Sequence, residues 1–318
     1  MAVVVVNWNS RDFLLRCLAA LDRRTDPERA EVVVVDNHSA DGSADAVRGR
    51  YPAIRLIQND RNVGYARATN QALASTRAPY ALLLNPDAEV ERDAVDRLAA
   101  ELELNPALGA VTARLVGDDA MEHYVQSFPD AASVLLVHTF LGRLLPRWRE
   151  RARHRYLMLD ADVATMDRIP QPAGACLMVR RSVAGEPLLD EQFPLFFNDT
   201  DLCRRIWDSG HAIALVSDAV VRHTRNSAAL AVDNPLLTIE HGVAMIRYFR
   251  KHGTRPEYLA VRAGVTLHHL LRYARSSAVF VGRVPRWSHG PSRRAWRKGI
   301  PLLVCCRSFF EVGDPRWQ

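Results

Sequence analysis

The chain has 318 residues, 48% of them hydrophobic and 25% charged, which excludes a disordered or fibrous protein and suffices for one large domain with an appendage. Its net charge of +6 hides an asymmetry: residues 247–318 hold 15 Lys/Arg against 3 Asp/Glu, and residues 1–246 hold 27 against 33. An acidic body with a basic tail implies attraction of the tail to an anionic surface. Cys17, Cys176, Cys203, Cys305 and Cys306 are odd in number and scattered, without zinc or disulfide-framework spacing, which fits a reducing cytoplasm. No leader pattern precedes the first strand, and no apolar run approaches the roughly 20 residues that span a bilayer.

In chain order, residues 2–6 are a β-branched run that predicts a buried strand. Phe13, Leu14, Cys17, Leu18 and Leu21 follow at helical spacing, with Asn9 or Ser10 as cap. Residues 31–35 predict a second strand ending in Asp36-Asn37, and 53–58 a third, more weakly patterned. Residues 62–73 read as a turn opening into a helix, 79–85 as a fourth strand, and 91–105 as an amphipathic helix. Strands alternating with helices imply right-handed crossovers and an α/β fold with a mainly parallel sheet.

The run Tyr80-Ala-Leu-Leu-Leu-Asn-Pro-Asp87 is a buried strand that ends in a carboxylate, with Glu89 and Glu91 just beyond. The crevice at the carboxyl ends of parallel strands is where open α/β sheets bind ligands. A carboxylate there suits a hard divalent cation, Mg2+ or Mn2+, shared with substrate phosphates; Asn-Pro-Asp is equally a turn composition. Asp36 and the segment Asn7-Trp8-Asn9 also end strands, and along one edge of the sheet they would suit a nucleotide with its base near Trp8 and Asp36 and its diphosphate near Asp87. No G-x-G-x-x-G or P-loop follows the first strand, which argues against a dinucleotide cofactor or a Walker loop.

In the second half, residues 171–181 form a small-residue turn running into a short strand, where Gly174 allows close backbone approach to a ligand. Asp199 and Asp201 lie where the aromatic run Phe193, Phe196, Phe197 meets a helix start. A carboxylate beside aromatic rings loses solvent and its pKa rises toward that of a general base; helix capping is the other role open to Asp199. Residues 256–282 predict an amphipathic helix with Leu259, Ala263, Leu267, Leu270 and Leu271 on one face. Basic residues interleaved with Trp287 and Trp296 follow, up to Lys298. Residues 256–298 therefore read as a segment lying on an anionic membrane surface, or else as a helix packed on the body.

The ordered motifs Val-Val-Val-Val-Asn-Trp-Asn9, Val-Val-Asp36-Asn-x-Ser-x-Asp-Gly-Ser43, Asn62-x-Gly-Tyr-Ala-x-Ala-x-Asn70 and Leu-Leu-Asn85-Pro-Asp87 continue into Gly174-Ala-x-x-Met-Val-Arg-Arg181 and Phe-Phe-Asn-Asp199-Thr-Asp-Leu-Cys-x-Arg205. Together they resemble glycosyltransferase family two, and within it the branch containing bacterial rhamnosyltransferases, over about residues 2–227. The resemblance implies a GT-A fold over 1–240, with a nucleotide-sugar half (1–115) and an acceptor half (116–240), followed by a helical basic extension (241–318). It implies inverting transfer of a sugar from a nucleotide-sugar donor to a hydroxyl, with L-rhamnose from dTDP-L-rhamnose favoured and UDP-linked hexoses or galactofuranose left open. The acceptor would be a glycan or a polyprenyl-diphosphate-linked glycan, met at the inner face of the cell membrane.

Carried onto this chain, Asn9 and Asp36 would contact the nucleoside, and Asn62 and Gly64 would lie in the loop over ribose and sugar. Asn85 and Asp87 would stand in the place of the metal-binding Asp-x-Asp, with Asp87 as ligand and His223 completing the site. Asp199 matches the general base and Asp201 the second acid of that motif, on the acceptor side. The chain departs from the pattern at Asn85, which leaves one carboxylate ligand, and at Asn198, where a Glu is usual. Asn198 removes a like charge beside Asp199 and so lowers its pKa relative to that pattern. A sugar nucleotidyltransferase would need a Gly-rich basic loop near the N-terminus, and a non-catalytic nucleotide-sugar binder would have no use for both Asp87 and Asp199. No recognised nucleic-acid module accompanies the basic tail.

Overall fold

The computed structural model describes residues 1–26, 28–117, 125–224 and 235–281. They form two units, residues 1–128 with 155–224, and residues 129–154 with 235–281. This differs from a division at residue 240. The segment 129–154 joins the C-terminal helices because its helix AASVLLVH is apolar all round, a pattern that demands burial without naming a partner.

The first unit contains strands β1 (Ala2–Asn7), β2 (Glu31–Asp36), β3 (Arg55–Gln58), β4 (Tyr80–Leu84), β5 (Ala88–Val90), β6 (Leu108–Val116), β7 (Val125–Gln126), β8 (Gln171–Pro172), β9 (Cys176–Arg180) and β10 (Ala212–His223). Eight of them build one sheet in the order β3-β2-β1-β4-β9-β6-β10-β5, and β7 pairs with β8 separately. The pairs β1–β2, β1–β4, β2–β3 and β6–β10 are parallel. Strand β9 runs against both its neighbours, and β5 runs against β10. The expected parallel sheet is present, with these two strands reversed in it.

All six residues of β1 are buried, as a strand covered on both faces requires. Val3 and Val5 join one core layer with Leu14, Cys17, Leu18 and Leu21 of α1 (Arg11–Arg24). Val4 and Val6 join the other layer. Helices α2 (Ser43–Arg50), α3 (Tyr65–Ala74) and α4 (Ala94–Leu104) complete the first half of this unit. Ala66, Ala72 and Leu73 of α3 pack in the second layer, and Leu98 and Leu102 of α4 in the first.

The second unit is helical, built on α5 (Ala131–His138), α6 (Leu141–Leu144) and α7 (Pro146–Tyr156). Helices α8 (Arg181–Ala184) and α9 (Asn198–Asp208) return to the first unit, and α10 (Pro235–His252) and α11 (Arg255–Val281) finish the second. A capping box opens α5: Ser133 N–H donates to Asp130 Oδ1 at 2.7 Å, and Asp130 N–H donates to Ser133 Oγ at 3.1 Å. The predicted helix over 256–282 appears as α11, but its buried face is not the leucine face. Val261 and Val265 are buried, and a Cβ at Gly264 would collide with the Leu135 side chain on α5. Leu259, Leu267, Leu270 and Leu271 stay exposed. The basic and Trp-rich residues 282–298 lie outside the described residues.

Four histidines, His138 on α5, His241 on α10, and His268 and His269 on α11, lie within electrostatic reach of one another in the second unit. The rings of His138 and His241 are 5.4 Å apart. Burial lowers the pKa of His138, His241 and His269 to about 4. His268 is lowered by burial and by the cations of Arg272 and Arg143. An unfolded His binds its proton near pH 6.5, so between about pH 6.5 and 4 the unfolded chain holds more protons and stability falls with pH. The melting temperature should therefore drop across that window, and His241→Leu should flatten the drop, as thermal unfolding at stepped pH will show.

Candidate active site

Strand β1 lies between β2 and β4, so the chain direction of crossover reverses there and the carboxyl ends of these strands frame a crevice. Because β9 is antiparallel to β4, the residues just before it arrive at the same edge. Leu84 pairs with Cys176, and the Asn85 N–H donates to the Ala175 carbonyl at 3.0 Å. One edge of one sheet thus gathers Asn7, Asp36, Asn85, Asp87 and Gly174.

Asn7 and Asp36 are buried at 0% and 1% exposure and hold each other. The Asn7 amide donates to Asp36 Oδ1 and to Ser39 Oγ, each at 3.0 Å, while the Ser39 N–H donates to Asp36 Oδ2 at 3.1 Å. Asn9 fastens the same loop, its Oδ1 accepting from the Ala40 N–H at 2.7 Å. Trp8 between them is 57% exposed and presents a bare ring. Asn62 Oδ1 accepts from the Asn37 amide at 2.9 Å and from the Gly64 N–H at 3.0 Å. Gly64 has φ 86°, and a Cβ there would lie 3.0 Å from Pro194, so this glycine lets the 193–197 loop close onto the start of α3. Asn9, His38 and Phe197 also take left-handed backbone, with φ of 51°, 67° and 66°. Strain of this kind in non-glycine residues concentrates where loops are held for function.

Asp87 and His223, predicted from opposite halves of the chain, meet. Antiparallel pairing sets His223 opposite Ala88, and its Nε2 lies 3.2 Å from Asp87 Oδ1. The Thr224 N–H donates to the Asp87 carbonyl at 3.0 Å. Asp87 itself is 3% exposed. An imidazole nitrogen and a carboxylate oxygen this close are donors of the kinds a divalent cation accepts. The neighbouring acids are engaged elsewhere: Glu89 pairs with Arg16 at 3.3 Å and Glu91 with Arg222 at 3.2 Å. Among the described residues, no cluster of three or more His, Cys, Asp or Glu side chains converges on one metal position.

Asp199, in the first turn of α9, is half-buried. Burial raises its pKa, and the backbone N–H groups of Thr200 and Gly174 oppose that rise by stabilising the carboxylate. Its Oδ1 accepts from Thr200 N at 2.8 Å, and Gln171 Nε2 donates to Thr200 Oγ1 at 2.9 Å. A Cβ at Gly174 would stand 2.7 Å from Asp199 Oδ2. Gly174 therefore admits a carboxylate of the protein itself, where sequence reading expected a ligand.

Asp201, expected on the acceptor side, has no exposed surface and pairs with Arg205 Nε at 2.9 Å. Arg205 donates in turn to the carbonyls of Ala184 and Leu188. Through Arg205 this acid ties α9 to the 184–188 loop. Sequence reading missed Gln171 and Thr200, which brace the base. It also missed Tyr65 and Tyr156, whose hydroxyl pKa values are raised by burial and by the Asp199 charge. Tyr65 stood inside a quoted motif, whereas Tyr156 lies in a stretch without a pattern. A cavity of about 430 Å³ between Leu73 and Tyr80 on one side and Arg180 and Glu186 on the other lies at the opposite ends of β4 and β9. Its Arg180 and Arg181 donate to backbone carbonyls of the fold.

Solved structures of similar fold include the mannosyltransferase PcManGT from Pyrobaculum calidifontis in complex with GDP-Man and Mn2+, with TM-score 0.53 and 18% identity over 97% of this chain and 86% of that one. S. aureus TarS 1–349 in complex with UDP-GlcNAc has TM-score 0.53 and 14% identity over 97% and 81%. The sheet, its strand-end site and these likenesses define a GT-A-like glycosyltransferase fold. The glycosyl transferase family 2 model matches residues 2–186, and the chain belongs to that family. An N-acetylglucosaminyl-diphospho-decaprenol L-rhamnosyltransferase of Mycobacterium tuberculosis is 27% identical over 240 residues, 70% of this chain and 75% of that protein.

Two substitutions separate positioning from stability. Gly174→Ala forces the Asp199 carboxylate aside and should lower sugar transfer about 100-fold, the scale of a 1 Å misplacement, with little change in melting temperature. Asp201→Ala leaves the Arg205 charge without its buried partner and should cost roughly 3–5 kcal/mol in chemical denaturation.

Proposed function

We propose that this glycosyltransferase moves L-rhamnose from dTDP-L-rhamnose, with inversion, to a hydroxyl of a glycan carried on a polyprenyl diphosphate. The observation that carries the reading is the half-buried Asp199 carboxylate, fixed by Gly174 and Thr200, in the same unit as the Asp87–His223 pair at the strand ends. The choice of rhamnose and of a lipid-linked acceptor leans on the activity named for the mycobacterial relative. On this reading the enzyme works at the inner face of the cell membrane.

The acceptor hydroxyl gives its proton to Asp199 as its oxygen attacks the anomeric carbon from the face opposite the diphosphate. The new glycosidic bond forms as the bond to the nucleoside diphosphate breaks, and the configuration inverts. A raised pKa makes Asp199 a stronger base than an ordinary carboxylate, and the N–H groups of Gly174 and Thr200 keep it ionised and aimed. Trp8 offers its exposed ring to the nucleobase, and Asn7, Asn9 and Asp36 hold the loop that frames it. Asp87 and His223, with oxygens of the diphosphate, would hold Mg2+ or Mn2+, which neutralises charge developing on the leaving group. Most of the rate would come from holding donor and acceptor in line.

Thermal unfolding with dTDP or dTDP-L-rhamnose should show a shift that needs Mg2+ or Mn2+ and vanishes in Asp87→Ala, because selective ligands stabilise the native state by mass action. No shift with any nucleotide in folded protein would refute the reading. Asp199→Asn should lower transfer by about 100- to 10,000-fold and, unlike most active-site losses, raise the melting temperature at pH 7. A carboxyl whose folded pKa lies above its unfolded value is destabilising once ionised, so a neutral isostere removes that cost. The acid limb of the wild-type rate profile should accordingly lie above the ordinary Asp value of about 3.9.

A further inference from the structure

In the second unit, the corner where α6 passes into α7 stands in solvent: every residue from Arg143 to Arg151 is exposed. Leu144, Leu145 and Trp148 are 69%, 46% and 59% exposed. Large apolar side chains gathered in so short a stretch mark an interaction surface more often than single scattered ones do. Arg143, Arg147, Arg149 and Arg151 are set among them, with the Arg151 guanidinium 5.7 Å from the Trp148 ring. The one acid of the stretch, Glu150, is taken up by Arg153 at 3.3 Å. On α11, Leu267, Leu270 and Leu271 are 46%, 45% and 46% exposed at helical spacing, with Arg272 next. Arg143 and Arg272 both act on His268, so these two cations share one electrostatic neighbourhood in the unit.

We propose that this corner, with Leu144, Leu145, Trp148 and the arginines set among them, docks on a bilayer containing anionic phospholipid. The proposal deepens the reading of a lipid-linked acceptor, since it says how the enzyme meets the surface that carries it. Charge complementarity selects the occupant. Arginine stems lie along apolar surface while their heads stay at the phosphate level, and Trp prefers that same boundary. The basic charge adds attraction to anionic headgroups within a Debye length. Among the described residues no helix is long and apolar enough to cross a membrane, so contact is in the plane of the interface. The sequence pointed to residues 256–298 for this role; the exposed corner adds 143–151.

The test uses the full chain and sedimentation with vesicles of phosphatidylcholine alone or mixed with phosphatidylglycerol. Wild type should sediment with the mixed vesicles, lose most of that binding at high salt, and ignore the neutral ones. Leu144→Glu with Trp148→Glu should weaken binding at least tenfold. A second variant with Arg293, Arg294, Arg297 and Lys298 changed to Ser serves as the comparison. Loss of binding in that variant alone, with the 144/148 pair unaffected, overturns the proposal. So does a wild type that ignores anionic vesicles, or one that self-associates through the 144/148 positions in sedimentation velocity without binding lipid. The metal-dependent shift with dTDP, measured on the same samples, should be unchanged by either variant. Its loss from wild type would strike the transfer reading and leave vesicle binding to be judged separately.

Discussion

Cys176–Arg180 enters the sheet between two strands that both run against it, and that pairing brings the two halves of the site together. A parallel strand in the same slot would deliver residues 171–175 to the far edge. Reversed, β9 begins where β4 ends, so Gly174 and Ala175 arrive beside Asn85. Gly174 then offers its N–H, and the space where a side chain would be, to Asp199. The end of β10 works in the same way at the other acid, since its pairing with β5 sets His223 beside Asp87. Both contacts between distant parts of the chain rest on ladder hydrogen bonds, whose register a buried sheet holds firmly.

The carboxylates of this region divide by what surrounds them. Asp36 and Asp201 are almost wholly enclosed, and each is satisfied by a partner from its own framework, Asn7 with Ser39 in one case and Arg205 in the other. Asp199 is half-buried, and burial is the larger influence on it, so its charge is tolerated more than welcomed. A group in that state costs stability when ionised, and natural proteins keep such a cost chiefly where chemistry needs it. Phe193 and Phe197 are buried in the loop ahead of α9, and Phe197 bends the chain through a left-handed turn into the helix. Tyr65 and Tyr156 feel the Asp199 charge.

Much of the first unit was legible because its signals are local. A run such as Ala2–Asn7 is β-branched and continuous, so it reads as a strand covered on both faces without knowledge of neighbours. Leu14, Cys17, Leu18 and Leu21 announce their helix by spacing alone. Strand direction is not local: nothing within Cys176–Arg180 distinguishes a parallel from an antiparallel place, and β5 is too short to carry a period. The roles of Gly174 and Asp201 were opaque for the same reason. Glycine declares that something comes close but not what, and an acid one turn before an arginine declares a pair only once both sit on a helix whose other residues are placed.

The second unit shows where periodicity misleads even when it finds the element. The leucines at 259, 267, 270 and 271 give α11 its apolar stripe, and a stripe ordinarily names the buried face. The helix instead turns Val261, Gly264 and Val265 inward, because α5 approaches so closely that Leu135 fills the place of a side chain at Gly264. A small residue sets the approach distance, and β-branched valines on either side fit the narrow gap that leucines would overfill. Once that face is chosen, the leucines have nowhere to go but outward. An apolar stripe left outside a packed helical unit is then a consequence of how the unit packs, and not of the stripe's own hydrophobicity.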